Sequence, residues 1–120
     1  MSTRAFVGII NHDKSCEIIF THWDGYPKHH GPILIHNYRT TKEVRALMAS
    51  GNHECLGQFH FDGEPQGKSD TFDTVEEMLN YTKDSWVEYV YLWDTKHTRW
   101  LFSKVYGGIK FKSLSMKDCQ

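Results

Sequence analysis

Trp86-Val87-Glu88-Tyr89-Val90-Tyr91-Leu92-Trp93 and Arg99-Trp100-Leu101-Phe102-Ser103-Lys104-Val105-Tyr106 decide the fold class. Both runs are rich in aromatic and β-branched residues, which fit the pleated, half-buried surface of a sheet. Asp94-Thr95-Lys96-His97-Thr98 joins them as a hairpin loop. Tyr89, Tyr91, Trp93, Trp100 and Phe102 are read as core and sheet-face residues. Downstream, Gly107-Gly108 breaks the ladder and Ile109-Lys110-Phe111-Lys112 alternates as a further edge strand. Lys104, Lys110 and Lys112 then form a solvated strand face.

At the other end, Ala5-Phe6-Val7-Gly8-Ile9-Ile10 and Cys16-Glu17-Ile18-Ile19-Phe20-Thr21-His22 read as two more strands across a short polar turn. So short a connection favours an antiparallel hairpin. Gly8 inside the first strand marks a bulge or a close backbone approach. Pro32-Ile33-Leu34-Ile35-His36-Asn37-Tyr38 suits strand or helix, with Gly31-Pro32 fitting a helix start. A clearer helix runs from Thr40 to Gly51. Thr40 and Glu43 have capping-box spacing, and Val44, Leu47 and Met48 share one apolar face. Gln58-Phe59-His60-Phe61 suggests a short strand, followed by a polar, turn-rich stretch from Asp62 to Asp70 that is expected to be mobile. Thr74 to Tyr81 has the same Thr-x-x-Glu start and a stripe of Val75, Met78, Leu79 and Tyr81.

The sum is an α+β fold: an antiparallel β-sheet of about four to six strands with two or three helices packed on one face. Residues 1–112 are expected to form a single globular α+β domain, with 113–120 a frayed tail. The 120 residues are 39% apolar and 14% aromatic, enough to bury a core. Net charge is -1 with histidines neutral, which disfavours general nucleic-acid binding because no basic stripe offsets phosphate charge. Cys16, Cys55 and Cys119 show no CxxC spacing and suggest free thiols in a reducing compartment. Met1 to Ile10 holds too short an apolar run for a secretory signal, and nothing approaches the roughly 18 apolar residues of a membrane span. The expectation is a soluble, cytoplasmic chain with no membrane association.

Thr21-His22-Trp23-Asp24-Gly25-Tyr26-Pro27-Lys28-His29-His30 is the conspicuous loop. Its rings combine flat apolar surface with hydrogen-bonding tips, the chemistry of interface anchors and of base stacking. The candidate binding residues are Arg4, His22, Trp23, Asp24, Tyr26, Lys28, His29 and His30. In the bland alternative, Trp23 or Tyr26 covers the core, His22 and Asp24 brace the turn, and His29 and His30 lie at the surface. His22, Asp24 and one of His29, His30 or His36 offer ligand types suited to zinc, manganese or iron, but their spacing matches no metal motif. His53-x-Cys55 lacks an oxyanion-hole signature, and no phosphate-cradling glycine loop is present. No cofactor, metal or catalytic residue is assigned.

Several elements together carry a resemblance: Ser2-Thr3-Arg4, the His22-Trp23-Asp24-Gly25-Tyr26-Pro27 string, His36-Asn37-Tyr38, Ser50-Gly51-Asn52, Tyr89-Val90-Tyr91-Leu92 and Trp100. The chain resembles a group of small tailed-bacteriophage proteins with an HWDGY loop. It departs from them in the His29-His30 pair and the longer loop around Lys96-His97. The resemblance brings no catalytic residues with it. It implies a setting, the cytoplasm of an infected bacterium, where small accessory proteins block host enzymes or defence systems.

Three functions follow as expectations. The first is a non-enzymatic binding protein that inhibits a host protein or defence system through the aromatic and histidine loop. The second is a sponge for a nucleotide signal, with a ring on the base and Arg4 or Lys28 on phosphate; a homo-oligomer would favour it. The third is a metal-dependent hydrolase built on His22 and Asp24.

Overall fold

The computed structural model describes residues 4–21, 27–50, 55–56, 61–62 and 69–119. The first strands, β1 (Ala5–Ile10) and β2 (Cys16–Thr21), pair antiparallel in continuous register from Ala5↔Thr21 to Ile10↔Cys16. Gly8 therefore sits in an unbroken ladder rather than a bulge, and its role is close approach. A Cβ there would lie 2.5 Å from the Glu17 carbonyl oxygen.

Helix α1 spans Pro27–Asn37, beginning well before the Gly31-Pro32 start expected from sequence. Pro27 takes the first helical position, where its missing N–H is no loss. Pro32 is left inside the helix, where it removes one backbone hydrogen bond. Leu34 and Tyr38, four residues apart, are both buried, and this face resolves the strand-or-helix choice. Helix α2 (Thr41–Ser50) follows, its Glu43 amide donating to the Thr40 hydroxyl at 3.2 Å. Glu43 Oε1 in turn accepts from the Thr40 hydroxyl and the Arg39 amide. Val44, Leu47 and Met48 are buried together, as their spacing requires.

Two short strands, β3 (Cys55–Leu56) and β4 (Phe61–Asp62), pair with each other. The mobile stretch expected from Asp62 to Asp70 lies largely outside the described residues. Its last residue opens β5 (Asp70–Phe72), which pairs with β2. Helix α3 (Val75–Lys83) starts at the expected Thr74 cap, whose hydroxyl accepts from the Glu77 amide at 3.1 Å. Then come β6 (Tyr89–Asp94), β7 (Arg99–Lys104) and β8 (Lys112–Ser113).

The main sheet runs β5-β2-β1-β6-β7-β8. Its pairings are antiparallel except at the centre, where β1 and β6 run parallel from Ala5↔Tyr89 to Ile10↔Asp94. These two strands are buried on both faces, which explains their nearly unbroken apolar sequences. Ala5, Val7, Ile9, Tyr91, Trp93, Trp100 and Phe102 point to one face, under α1 and α2. Phe6, Ile18, Val90 and Leu92 point to the other, where Met78 of α3 covers them. The α+β class and the strand number hold, but the helices divide between the two faces instead of sharing one. The reason is the double-sided burial of the central strands, since each face needs its own cover.

Indole N–H groups tie the first layer down: Trp93 Nε1 donates to the Thr41 hydroxyl and Trp100 Nε1 to the Tyr38 carbonyl, both at 2.9 Å. Part of the segment expected to fray is also fastened. The Leu114 amide donates to the Trp100 carbonyl at 2.9 Å, Leu114 packs on the first core cluster, and a 3-10 turn at Met116–Cys119 lies against α1. Among the described residues no helix is long and apolar enough to cross a membrane.

Candidate functional site

Among the described residues, the candidate binding residues do not share one face. His22, Trp23, Asp24 and Tyr26 lie outside the described residues. Lys28 is exposed on the first turn of α1, and His29 beside it is half-buried. His30 is fully buried under α1, against Tyr91, with ring centroids 5.6 Å apart. Arg4 precedes Ala5, so by strand alternation it points with Phe6 to the opposite, α3 face.

Both ring nitrogens of His30 are engaged. Nε2 lies 2.8 Å from the Thr21 hydroxyl, which is itself 3.2 Å from the Ala5 carbonyl oxygen, and Nδ1 lies 3.1 Å from His29 Nδ1. The result is a relay from α1 into the end of the β1–β2 ladder. It fastens the chain on either side of residues 22–26. His30 is not at the surface, and both its nitrogens are already engaged.

Other acid-base candidates separate as well. His36 is exposed on the last turn of α1. His53 and the Cys55 side chain are outside the described residues. Cys16 is buried, and desolvation pushes its thiol up to about 11, with Asp13 adding a smaller push. Such a thiol is inert near neutral pH. Among the described residues no group of three or more His, Cys, Asp or Glu is placed to hold a metal.

The α3 face carries the feature that sequence reading missed. Between the start of β1 and the end of α3 lies an open cleft of about 740 Å³, with Arg4, Phe6, Phe20 and Tyr81 among its lining residues and Trp86 at the same site. Tyr81 leaves the expected buried stripe and is 47% exposed, yet it is held by ring contacts to Phe6 at 5.8 Å and Phe72 at 5.3 Å. Trp86 is 84% exposed. Its sequence pattern makes it the first residue of a strand, but β6 begins only at Tyr89. Backbone pairing reaches back no further than Glu88, whose amide donates to the Arg4 carbonyl and whose carbonyl accepts from the Val105 amide, both at 2.9 Å. Trp86 thus stands beyond the ladder. The available signal was its place directly after the polar Lys83-Asp84-Ser85 helix end.

A second hollow of about 600 Å³ adjoins the first, sharing Arg4 and Trp86 and reaching Tyr106, which is also 84% exposed. The β1–β2 register puts Thr21 opposite Ala5, so β2 ends at this same end of the sheet. Arg4 makes no ion pair among the described residues. No family model, curated protein or solved structure matches the chain.

Proposed function

We propose that the chain is a non-enzymatic binding protein whose contact surface is the Arg4 end of the sheet, and that its partner is a host protein in a phage-infected bacterium. The exposure of Trp86 carries this reading. A tryptophan left almost wholly in water, with Tyr106 equally exposed and Arg4 between the same hollows, brings together the three residue types most enriched in interface hot spots. Such an aromatic patch has no packing role within the fold, and contact with a partner would remove it from water. The backbone beneath is tied down at Glu88, where the Arg4–Glu88 and Glu88–Val105 hydrogen bonds join three segments. Pre-ordered anchors lose less entropy on binding. The resemblance to tailed-phage proteins supplies the host setting.

A metal-dependent hydrolase finds less support. His30 is not a spare ligand, since Thr21 and His29 occupy its two nitrogens.

Affinity capture from bacterial lysate tests the proposal, using the parent chain, Trp86→Ala and Tyr106→Ala as baits. The expected result is a host protein retained by the parent and lost by both variants at unchanged melting temperature. Equal recovery on all three baits, or none on the parent, would overturn it.

A further inference from the structure

We infer that the cleft between β1 and the end of α3 binds a nucleoside monophosphate. The cleft differs from the outward patch described above in being walled by rings that are held in place. Phe6 packs edge-on against Phe20 at 6.2 Å and stacks on Tyr81 at 5.8 Å with an interplanar angle of 29°. Phe72 supports Tyr81 from a second side at 5.3 Å. Tyr81 is thereby fixed while 47% of its surface remains open. A ring held by its neighbours and half exposed gives a planar base a surface to pack against, and packing of this kind tolerates any base. Trp86 adds a second, freely accessible ring at the same cleft. The volume, about 740 Å³, lies in the range of small-ligand pockets.

Charge narrows the ligand further. Arg4 is the cation lining this cleft, half-buried and without a carboxylate partner among the described residues. Its planar fork of donors matches a phosphate in two-point contact. The other charged wall is Asp70, at the start of β5. A carboxylate there accepts hydrogen bonds from sugar hydroxyls or a base amine, and it repels a second or third phosphate. Among the described residues, one cation against one anion favours a single phosphate attached to a nucleoside, rather than a triphosphate. Recognition thus divides into a ring for the base, Asp70 for neutral donors and Arg4 for the phosphate.

This inference does not depend on a host partner, so its test uses the purified chain alone. Calorimetric titration with AMP, GMP, CMP and UMP is compared with adenosine, ribose 5-phosphate, inorganic phosphate and ATP. The monophosphates are expected to bind, with adenosine and ribose 5-phosphate each weaker by about tenfold or more and ATP weaker than AMP. Arg4→Gln should weaken AMP by about tenfold while leaving adenosine unchanged, and Trp86→Ala should weaken both. Because Trp86 is so exposed, that variant should keep the parent's melting temperature. No monophosphate binding at about 1 mM, parent-like binding by both variants, or inorganic phosphate binding as tightly as AMP would each overturn the inference. Any of these would leave the capture experiment to stand on its own result.

Discussion

Gly8→Ala should be among the most damaging single-methyl additions in this chain. Gly8 lies mid-way along β1, paired with Ile18 on one side and Leu92 on the other. The added Cβ would stand 2.5 Å from the Glu17 carbonyl oxygen, 2.6 Å from Ile18 Cγ2 and 3.1 Å from Leu92 Cδ2. Ordinary contact begins near 3.4 Å, so two of the three approaches are too close by most of an ångström. The worst partner is backbone and belongs to the β1–β2 ladder, so it cannot swing aside. Overpacking of a tight core costs about 1–3 kcal/mol, and a backbone clash belongs at the upper end. Against this, alanine recovers about 0.5–1 kcal/mol of strand preference over glycine. The net expectation is a loss of about 2 kcal/mol. With an unfolding entropy of about 0.25 kcal/mol/K for a chain of this length, the melting temperature should fall by about 8 °C. Thermal and urea unfolding followed by tryptophan fluorescence and circular dichroism would measure both quantities. A shift smaller than about 2 °C would refute the reasoning, because it would mean that β1 and β2 are not so closely apposed at this point.

Three further outcomes follow from buried or bonded groups. His30→Ala should destabilise by about 2–4 kcal/mol in urea unfolding, since it empties a fully buried site and removes a hydrogen-bond partner of Thr21; a loss below about 0.5 kcal/mol would show that the relay is not structural. Cys16, in a chain carrying Cys55→Ser and Cys119→Ser, should react with a disulfide reagent at pH 8 roughly a hundredfold more slowly than an ordinary thiol, because burial raises it to about 11 and leaves little thiolate; denaturation should restore the rate. Asp94 is nudged upward by partial burial, but its bonds to His97 and to the Lys96 amide outweigh that and hold its pKa below the ordinary 3.8. A depressed carboxylate contributes stability above its unfolded pKa and loses it as pH falls through the folded value. The melting temperature of Asp94→Asn should therefore fall less than the parent's between about pH 5 and 2, and parallel curves would refute the assignment.

The sequence disclosed whatever depends on neighbours along the chain. Thr40 and Thr74 mark their helix starts because a cap needs only a side chain and the amide three residues on. Ala5–Ile10 shows as a strand because five consecutive residues, Ala5 to Ile9, share one burial. The parallel pairing of β1 with β6 left no local trace, since nothing near Phe6 reports the direction of a strand more than eighty residues away. The same gap hid the division of helices between faces. At the candidate site, Arg4 was legible as a charge at the head of a strand, but its companions were not. Tyr81 and Trp86 follow helical and strand-like patterns respectively, and only the sheet's assembly shows that both flank Arg4. His30 misled in the opposite direction, because a His-His pair after a turn reads as surface until a helix lays it against Tyr91.

The strand order has a consequence for how the molecule is made. The amino-terminal hairpin lies between β5 and β6, which are synthesised later and flank it on opposite sides. While a ribosome is still adding residues, that hairpin has two open edges and two uncovered apolar faces. β5 and the helices can cover part of it earlier, but the β1 edge cannot be paired until Asp94 has cleared the exit tunnel. At synthesis rates of about 5–20 residues per second, the interval is several seconds. Throughout it, an early product with the sequence Ala5-Phe6-Val7-Gly8-Ile9-Ile10 offers unpaired backbone to any passing strand or chaperone. Yield in the cell should then depend on how quickly the second half of the message is read.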